Sequence, residues 1–313
     1  MKIFNARFTF FLAALAIVCI AAVSFRKPSG YKNKKISHMF FIAGPDFTGI
    51  IGENGEISWN SGKPGARDGF VLPNGHVLIC WADEVKEYDN DKKVVFNYKK
   101  SAPANELGTA VRLENGNTLI TESGKEPRLL ELDQQGMIKA WIPLLPETDN
   151  VHMQTRMARK LPSGNYIVPH LLAFKVKEYT PEGKVIKTFH TDLPALGGRA
   201  SENWPFTAIR LKNGNTLITL THGNKVVEMN PDGQVVWELS NDDFQTKVLQ
   251  DPCGAQRLPN GNTAIASYGA NEGIRLFEID RKKKIVWSYK RYRVHDFQIL
   301  TTNGKPIKGN PLK

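Results

Sequence analysis

The sequence predicts an all-β fold, a six-bladed β-propeller, from three observations: a repeated hairpin motif, its regular spacing, and incomplete repeats at the two ends. The motif is a leucine followed by a short turn ending in Asn-Gly or Ser-Gly, and its glycines are Gly75, Gly116, Gly164, Gly214, Gly261 and Gly304. Asn-Gly accepts the positive φ angles of a tight hairpin turn. Successive glycines are 41, 48, 50, 47 and 43 residues apart. This is the length of one four-stranded propeller blade.

A second set of turns lies between these hairpins and predicts the outer strands of each blade. Four of the turns end in glycine, and residues 89–92 and 280–283 are versions without glycine. A β-branched run follows most turns and ends in an aromatic residue, whereas residues 186–189 are out of step. Aromatic residues at one place in successive sheets are expected to pack between neighbouring blades. These residues are Trp59, Phe96, Trp141, Trp237 and Trp287.

The two ends of the repeat region complement each other. Residues 47–60 supply an outer hairpin without an inner one, and residues 294–307 supply an inner hairpin without an outer one. We expect the N- and C-terminal strands to pair in one shared blade, which closes the ring and removes exposed sheet edges. The propeller is expected to span residues 45–313. A β-sandwich is the alternative, but it does not predict this period.

The first 24 residues have the pattern of a secretory signal peptide. Lys2 and Arg7 precede an uncharged apolar run over residues 8–23, with small residues at its end. An uncleaved membrane anchor is one alternative, and a lipoprotein signal at Cys19 is another. Residues 25–44 are expected to form a linker. The predicted location is therefore extracytoplasmic, with membrane contact only through an uncleaved N-terminal segment.

Composition favours a globular protein with an anionic partner. The 313 residues are 41% hydrophobic and 23% charged, with a formal net charge of +11. This excess suits a sulfated or phosphorylated small molecule, an anionic glycan or a membrane surface. Nucleic acid is not expected, because no recognition helix or zinc finger is evident. Cys80 and Cys253 lie in different predicted blades, so we expect two buried thiols without a disulfide.

Candidate site residues gather on one predicted face of the propeller. This face carries the connections between blades and those between the second and third strands, and a channel mouth is the default ligand site of such a fold. Counting back from the hairpin turns places Arg67, Arg156 and His295 at equivalent positions of the inner strands, before a layer of small residues. We expect an anion-binding site in which His295 is the catalytic candidate. The ligand-binding candidates are His152, Arg156, His222, Arg67, His170 and Trp204.

Simpler roles compete with this interpretation. Arg67 with Asp68, and His295 with Asp296, are equally suited to ion pairs that tie strand ends together. Oxygens of Asp83, Glu84, Glu122 or Asp296 beside His222 or His170 would suit a metal, but no metal site is predicted. The motifs of zinc proteases, α/β-hydrolases and P-loop enzymes are absent from the sequence.

Residues 209–218 and 226–237 resemble the repeats of bacterial arylsulfotransferase-like propellers and, more loosely, those of quinoprotein (PQQ)-like proteins. The first resemblance implies a channel histidine that carries a sulfuryl group, and His295 is the position that matches. The chain departs from that family because residues 25–44 leave no room for the family's extra N-terminal domain. PQQ is not expected, since quinoprotein dehydrogenases use eight blades and adjacent cysteines, and no other cofactor is predicted.

Three functions remain open at this point. The first is an exported binding protein for a small or extended anionic ligand, with a glycan among the candidates. The second is an enzyme of the same fold in which His295 acts as nucleophile or base. The third is a scaffold that docks an envelope protein.

Overall fold

The computed structural model describes residues 35–270, 272–311 and 313. The predicted signal peptide and Cys19 lie outside the described residues. Propeller residues begin with three strands, β1 (His38–Ala43), β2 (Thr48–Ile51) and β3 (Ile57–Asn60).

Five complete four-stranded blades follow, each an antiparallel meander. Blade 1 contains β4 (Asp68–Val71), β5 (Val77–Cys80), β6 (Glu84–Tyr88) and β7 (Val94–Lys99). Blade 2 contains β8 (Glu106–Arg112), β9 (Thr118–Ser123), β10 (Arg128–Leu132) and β11 (Ile138–Pro143). Blade 3 contains β12 (Arg159–Lys160), β13 (Tyr166–His170), β14 (Lys175–Tyr179) and β15 (Val185–His190).

Blade 4 contains β16 (Asn203–Arg210), β17 (Thr216–His222), β18 (Lys225–Met229) and β19 (Val235–Leu239). Blade 5 contains β20 (Pro252–Arg257), β21 (Thr263–Ser267), β22 (Leu276–Ile279) and β23 (Ile285–Tyr289). The chain then returns to its start with β24 (Asp296–Thr302) and β25 (Lys305–Pro306). The helices of the described residues are four short 3₁₀ turns: Val151–Met153, Pro194–Leu196, Arg199–Ser201 and Asn241–Asp243.

The ring closes through a shared sixth blade, which confirms the predicted fold. Its strand order is β25-β24-β1-β2-β3, so the C-terminal β24 is the inner strand and the N-terminal region supplies the outer three. Strand β1 pairs antiparallel with β24, and Ile42 lies opposite Phe297.

The division of that blade differs from the expectation in two ways. The propeller begins at β1, inside residues 25–44, which were expected to be a linker, because β1 has no hairpin motif to reveal it. The C-terminal hairpin does not supply two successive strands of the blade, since β25 pairs with the opposite edge of β24.

The hairpin motif has a consistent local geometry. In the first copy, the amide of Gly75 donates to the carbonyl of Leu72 at 2.9 Å, and the amide of Leu72 donates to the carbonyl of His76 at 2.8 Å. All six motif glycines have φ between 76° and 89°. A residue with a side chain adopts this backbone conformation only with strain.

The aromatic residues of the outer strands pack unevenly. Phe96 is buried, and Trp59, Trp237 and Trp287 are partly buried against interblade clusters. Trp141 is 47% exposed, contrary to expectation, because Ala140 takes the position opposite Glu131 and Trp141 falls on the other side of β11. In blade 3, Lys187 takes the position opposite Glu178, and the aromatic residue of this strand, Phe189, is buried two residues further along on the same side.

Candidate functional site

Six equivalent positions mark one end of the inner strands, five residues before each motif leucine. We call these residues the mouth ring: Arg67, Gly108, Arg156, Phe206, Cys253 and His295. Contacts join several of them across the ring. The His295 ring lies 4.8 Å from that of Phe206, and the Arg156 guanidinium lies 5.9 Å from the centre of the same Phe206 ring.

β-Bulges accompany three members of the mouth ring, Gly108, Phe206 and Cys253. The pairing of β8 with β9, of β16 with β17 and of β20 with β21 shifts register at this level. An extra residue in one strand bends it and re-aims its side chains. Below the bulges, Ala110, Ala158, Ala208 and Ala255 are buried, which allows the inner strands to approach one another.

Arg156 is the most unusual member of the mouth ring. The residue is 3% exposed, and its Nη1 donates to the carbonyl of Thr155 at 2.8 Å. Among the described residues, no carboxylate lies within ion-pairing distance of its guanidinium. Burial, with a smaller contribution from Arg67, lowers the pKa of Arg156 to about 10. Arg156 therefore remains charged near neutral pH, and its environment opposes that charge.

Arg67 is already paired, in contrast to Arg156. Its Nη2 lies 2.7 Å from Glu106 Oε2, and its Nη1 donates to the Leu107 carbonyl at 3.0 Å. Nδ1 of the exposed His152 lies 3.0 Å from the same Glu106 oxygen. The hydrogen bond from His152, followed by the charge of Arg67, lowers the pKa of Glu106 to about 2 despite partial burial.

His295 is held in one tautomer. Its Nδ1 lies 2.8 Å from the carbonyl oxygen of Arg67, which can only accept, so Nδ1 carries the proton. The imidazole contacts Phe206 and Tyr268 edge to face. Burial lowers the pKa of His295 to about 3, so the ring is neutral at physiological pH and Nε2 carries the lone pair.

A second layer of charge lies one residue further along the inner strands. Asp68 accepts two hydrogen bonds from Arg159, at 3.0 and 3.3 Å, and the ammonium of Lys313 contacts Asp296. Burial raises the pKa of Asp296, whereas Arg159 and Lys313 hold the pKa of Asp68 low against the effect of its burial. The ion pairs expected within Arg67-Asp68 and His295-Asp296 are therefore replaced by pairs with Arg159 and Lys313.

Of the remaining predicted residues, Trp204 packs against the apolar cluster that contains Phe206 and Cys253, and the histidines have other partners. His222 stacks on Trp204 with centroids 4.6 Å apart, and its Nε2 lies 3.0 Å from Glu202 Oε2. His170 is not a surface ligand: it is fully buried, and its Nε2 lies 2.8 Å from the hydroxyl of Tyr179. Burial lowers the pKa of His170 to about 3. His38, at the start of β1, lies 2.7 Å from Glu278 in the core.

The structure brings Arg67, Arg156, His152 and His295 together and adds residues that the sequence did not reveal. Glu106 was missed because the bulge in β8 obscures its position. Phe206 could have been found by applying the count of five residues to all six repeats. Lys313 carried no signal, because nothing in its neighbourhood predicts that it reaches the channel.

No group of three or more potential metal ligands occurs among residues 35–270, 272–311 and 313. The acidic residues considered as metal ligands have other partners. Asp83 and Glu84 pair with Lys63, and Glu122 pairs with Arg128.

A cavity of about 550 Å³ lies elsewhere, between blades 1 and 2 on the side of the hairpin turns. It is lined by His76, Glu87 and Arg112, which are bonded to one another through Glu87. Its polar residues are thus already satisfied. No helix in the described part of the chain is long and apolar enough to cross a membrane.

Comparison with known proteins adds one family and several similar folds. A sequence profile described as Mal s 1 allergenic protein-like matches residues 50–248. No curated protein matches the chain.

The solved structures are similar in fold. A protein of unknown function from Bacteroides caccae has a TM-score of 0.74 and 21% identity, covering 87% of this chain and 100% of its own. A catalytically inactive virginiamycin B lyase variant from Staphylococcus aureus, solved with quinupristin, has a TM-score of 0.57 and 14% identity. That alignment covers 82% of this chain and 85% of the lyase. Such low identities show a common fold alone.

Proposed function

The chain belongs to the Mal s 1-like family, and we propose that it binds a small anionic ligand at the channel mouth. The observation that carries the proposal is the buried guanidinium of Arg156, which has no carboxylate partner among the described residues. An unpaired buried charge is costly to the fold. An oxyanion at the mouth would offset that cost and accept paired hydrogen bonds from the planar guanidinium.

The walls of the mouth indicate what the anion is attached to. Phe206 is 5% exposed, and Tyr268 and Trp204 are partly buried in the same apolar cluster. Aromatic faces suit a planar ring or the apolar face of a sugar. We therefore favour a sulfate, phosphate or carboxylate on an aryl group or a glycan. The leader-like residues 1–24 favour action outside the cytoplasm.

The test uses 4-nitrophenyl sulfate as the probe, with binding measured by titration calorimetry at low salt. Arg156→Met should weaken binding at least about tenfold, because loss of one charge-assisted interaction is worth roughly 1.5 kcal/mol or more. The affinity of Arg156→Lys for the probe should lie between the affinities of Arg156→Met and the native protein. Lysine retains the positive charge but lacks the planar guanidinium that donates paired hydrogen bonds. Arg199→Gln is the matched control, an exposed arginine that pairs with Asp192.

Thermal unfolding of the same variants separates binding from structural roles. Removing a buried charge that lacks a partner should leave Arg156→Met at least as stable as the native protein. Weaker binding together with unchanged or higher stability supports the proposal. Unchanged probe affinity in Arg156→Met would overturn it.

A second candidate is sulfuryl transfer through His295, and the observation that favours it is the fixed tautomer. Nδ1 donates to the Arg67 carbonyl, so Nε2 keeps its lone pair, as a nucleophile requires. Because burial lowers the pKa of His295 to about 3, the ring is unprotonated at neutral pH and the Nε2 lone pair is available for attack. The resemblance of the repeats to those of arylsulfotransferases supports this second hypothesis and not the first.

The same probe distinguishes the two candidates. Transfer predicts that nitrophenolate is released beyond one equivalent per chain only when a phenol is added to accept the sulfuryl group from His295, and that this release disappears in His295→Ala. Binding without release, in a folded protein, leaves the first proposal in place and ends the second.

A further inference from the structure

The second layer of the channel contains two neighbouring carboxylates that share one ammonium. Asp68 and Asp296 are fully buried and begin the inner strands of adjacent blades. The Lys313 ammonium contacts Asp296 Oδ2, lies 3.5 Å from Asp68 Oδ1, and lies 4.1 Å from the centre of the Phe70 ring. Lys313 is 2% exposed. The group thus combines the elements of a recognition site for a primary ammonium.

The two carboxylates differ in how much they depend on Lys313. Asp68 keeps Arg159, which also donates from Nε to the Lys313 carbonyl at 2.7 Å. Asp296 has no second cation in contact with it in the described part of the chain. Its Oδ1 accepts from no N–H or hydroxyl donor of the described residues, and the Asp296 carboxyl group lies within hydrogen-bonding distance of the Asp68 carboxyl group. A buried carboxylate oxygen without such a donor is available to a further donor.

Space beside that oxygen is kept by a glycine. A Cβ built on Gly254 would lie 2.6 Å from Asp296 Oδ1 and 3.0 Å from Asp296 Cα. Any larger residue at position 254 would therefore occupy the approach to Oδ1. The Gly254 amide meanwhile donates to the His295 carbonyl at 2.9 Å, which fixes the two strands relative to each other.

We propose that Asp68 and Asp296 form a binding site for a primary ammonium group, which Lys313 fills from within the chain. A small primary amine takes the same site when the Lys313 side chain is removed. An ammonium has three donors on a compact charge, which suits two carboxylates above an aromatic face. This inference does not use Arg156 or the anion at the mouth, so either proposal can fail without the other.

The experiment is rescue of Lys313→Ala by methylammonium chloride in the full chain. Without Lys313, Asp296 is left as a buried charge lacking a cation, so the variant should be less stable than the native protein. Methylammonium should raise its unfolding temperature in a saturable manner. The native protein should need at least about tenfold more methylammonium for any comparable rise, because Lys313 competes for the site.

Three controls make the result specific. Lys308→Ala removes an exposed lysine of the same segment and should show no rescue. Sodium and tetramethylammonium at equal ionic strength should not replace methylammonium. The double variant Lys313→Ala with Asp296→Asn should lose the rescue, and Lys313→Ser, which also leaves the space beside the two carboxylates open, should retain it.

Two outcomes would overturn the proposal. The first is an absence of saturable stabilisation of both Lys313→Ala and Lys313→Ser, which would mean that Asp296 simply takes up a proton. The second is equal stabilisation by sodium or tetramethylammonium, which would reduce the effect to screening of charge. Calorimetric titration of methylammonium into Lys313→Ala tests the same binding directly, without unfolding the protein.

Discussion

At the scale of single residues, Glu122 shows how one buried charge organises a loop between blades. Its Oε1 accepts from the amide and hydroxyl of Ser101 at 2.6 and 2.7 Å and from Asn105 at 2.9 Å. Its Oε2 accepts from Tyr98 at 2.9 Å and pairs with Arg128 at 3.0 Å. Although burial opposes the charge, hydrogen bonds from Asn105, Ser101 and Tyr98 lower the pKa of Glu122 to about 2. The loop is therefore stabilised only while Glu122 is ionised.

We expect Glu122→Gln to lower the free energy of unfolding by about 3 kcal/mol at pH 7, since each pKa unit is worth about 1.4 kcal/mol. A carboxylate with a lowered pKa contributes its full stabilisation of the folded state above the usual pKa of glutamate. This stabilisation is lost as pH falls from about 4.5 towards 2. The difference between variant and native protein should therefore be roughly halved at pH 3. Urea unfolding at pH 7, 5 and 3 measures it. The exposed Glu126 provides the control Glu126→Gln, and a difference independent of pH would contradict the assignment.

At the scale of elements, a repeated ion pair joins neighbouring blades. A glutamate on the third strand of a blade reaches a basic residue of the next blade, at five of the six interfaces. The pairs are Glu87–Arg112, Glu131–Lys160, Glu178–Arg210, Glu228–Arg257 and Glu278–His38. The interface between the closing blade and blade 1 has Ile50 and Val71 in these places, in an apolar cluster with Trp59. Five of the six interfaces thus combine apolar packing with one directional ion pair.

Substituting one member of a pair should weaken a single interface. Glu178 accepts from Asn165 at 2.9 Å and from Arg210 at 3.0 Å, and its side chain is 10% exposed. Glu178→Gln should cost about 2 kcal/mol, because a charge-assisted hydrogen bond is lost and Arg210 keeps its charge. Denaturant unfolding at neutral pH measures this cost. Glu182→Gln, in the exposed turn after β14, is the control, and equal effects of the two variants would refute the role of the pair.

At the scale of the whole molecule, the ring is held closed without a covalent link. The pairing of β1 with β24 joins residues more than 250 positions apart in the sequence. Ile42 of β1 is fully buried and packs in the cluster that contains Phe297 and Leu276. Because each blade packs on two neighbours, opening this joint exposes the core of the adjoining blades. The ring should therefore unfold as one unit.

Ile42→Ala should lower the free energy of unfolding by about 2–4 kcal/mol through loss of buried apolar contacts and the resulting cavity. Ile218→Ala, at a fully buried position within blade 4, should have a similar effect and is the matched comparison. Both variants should retain a single transition when followed by tryptophan fluorescence and by circular dichroism. A separate early transition in Ile42→Ala alone would show that the closing blade opens independently.

Short sequence motifs and their spacing predict most of the propeller architecture, but they predict only part of the candidate site. The Leu-x-Asn-Gly turns predict the hairpins, because positive φ at Gly75 and its counterparts is a property of the backbone itself. The spacing of those turns predicts the blades, and the count from each turn places Arg67, Arg156 and His295 together. The same reasoning misplaced Trp141 by one residue, and a shift of one residue turns a side chain to the other side of the strand.

The hairpins, the number of blades and the closure of the ring can be predicted from the sequence, because they depend on local backbone preferences and their period. The packing of the folded chain sets the pairing of Arg67 with Glu106, the lack of a carboxylate beside Arg156 among the described residues, and the insertion of Lys313 between Asp68 and Asp296. Those contacts join residues from different blades. The bulges and the crowding of the inner strands bring them within bonding distance, and neither is encoded in any single segment of the chain.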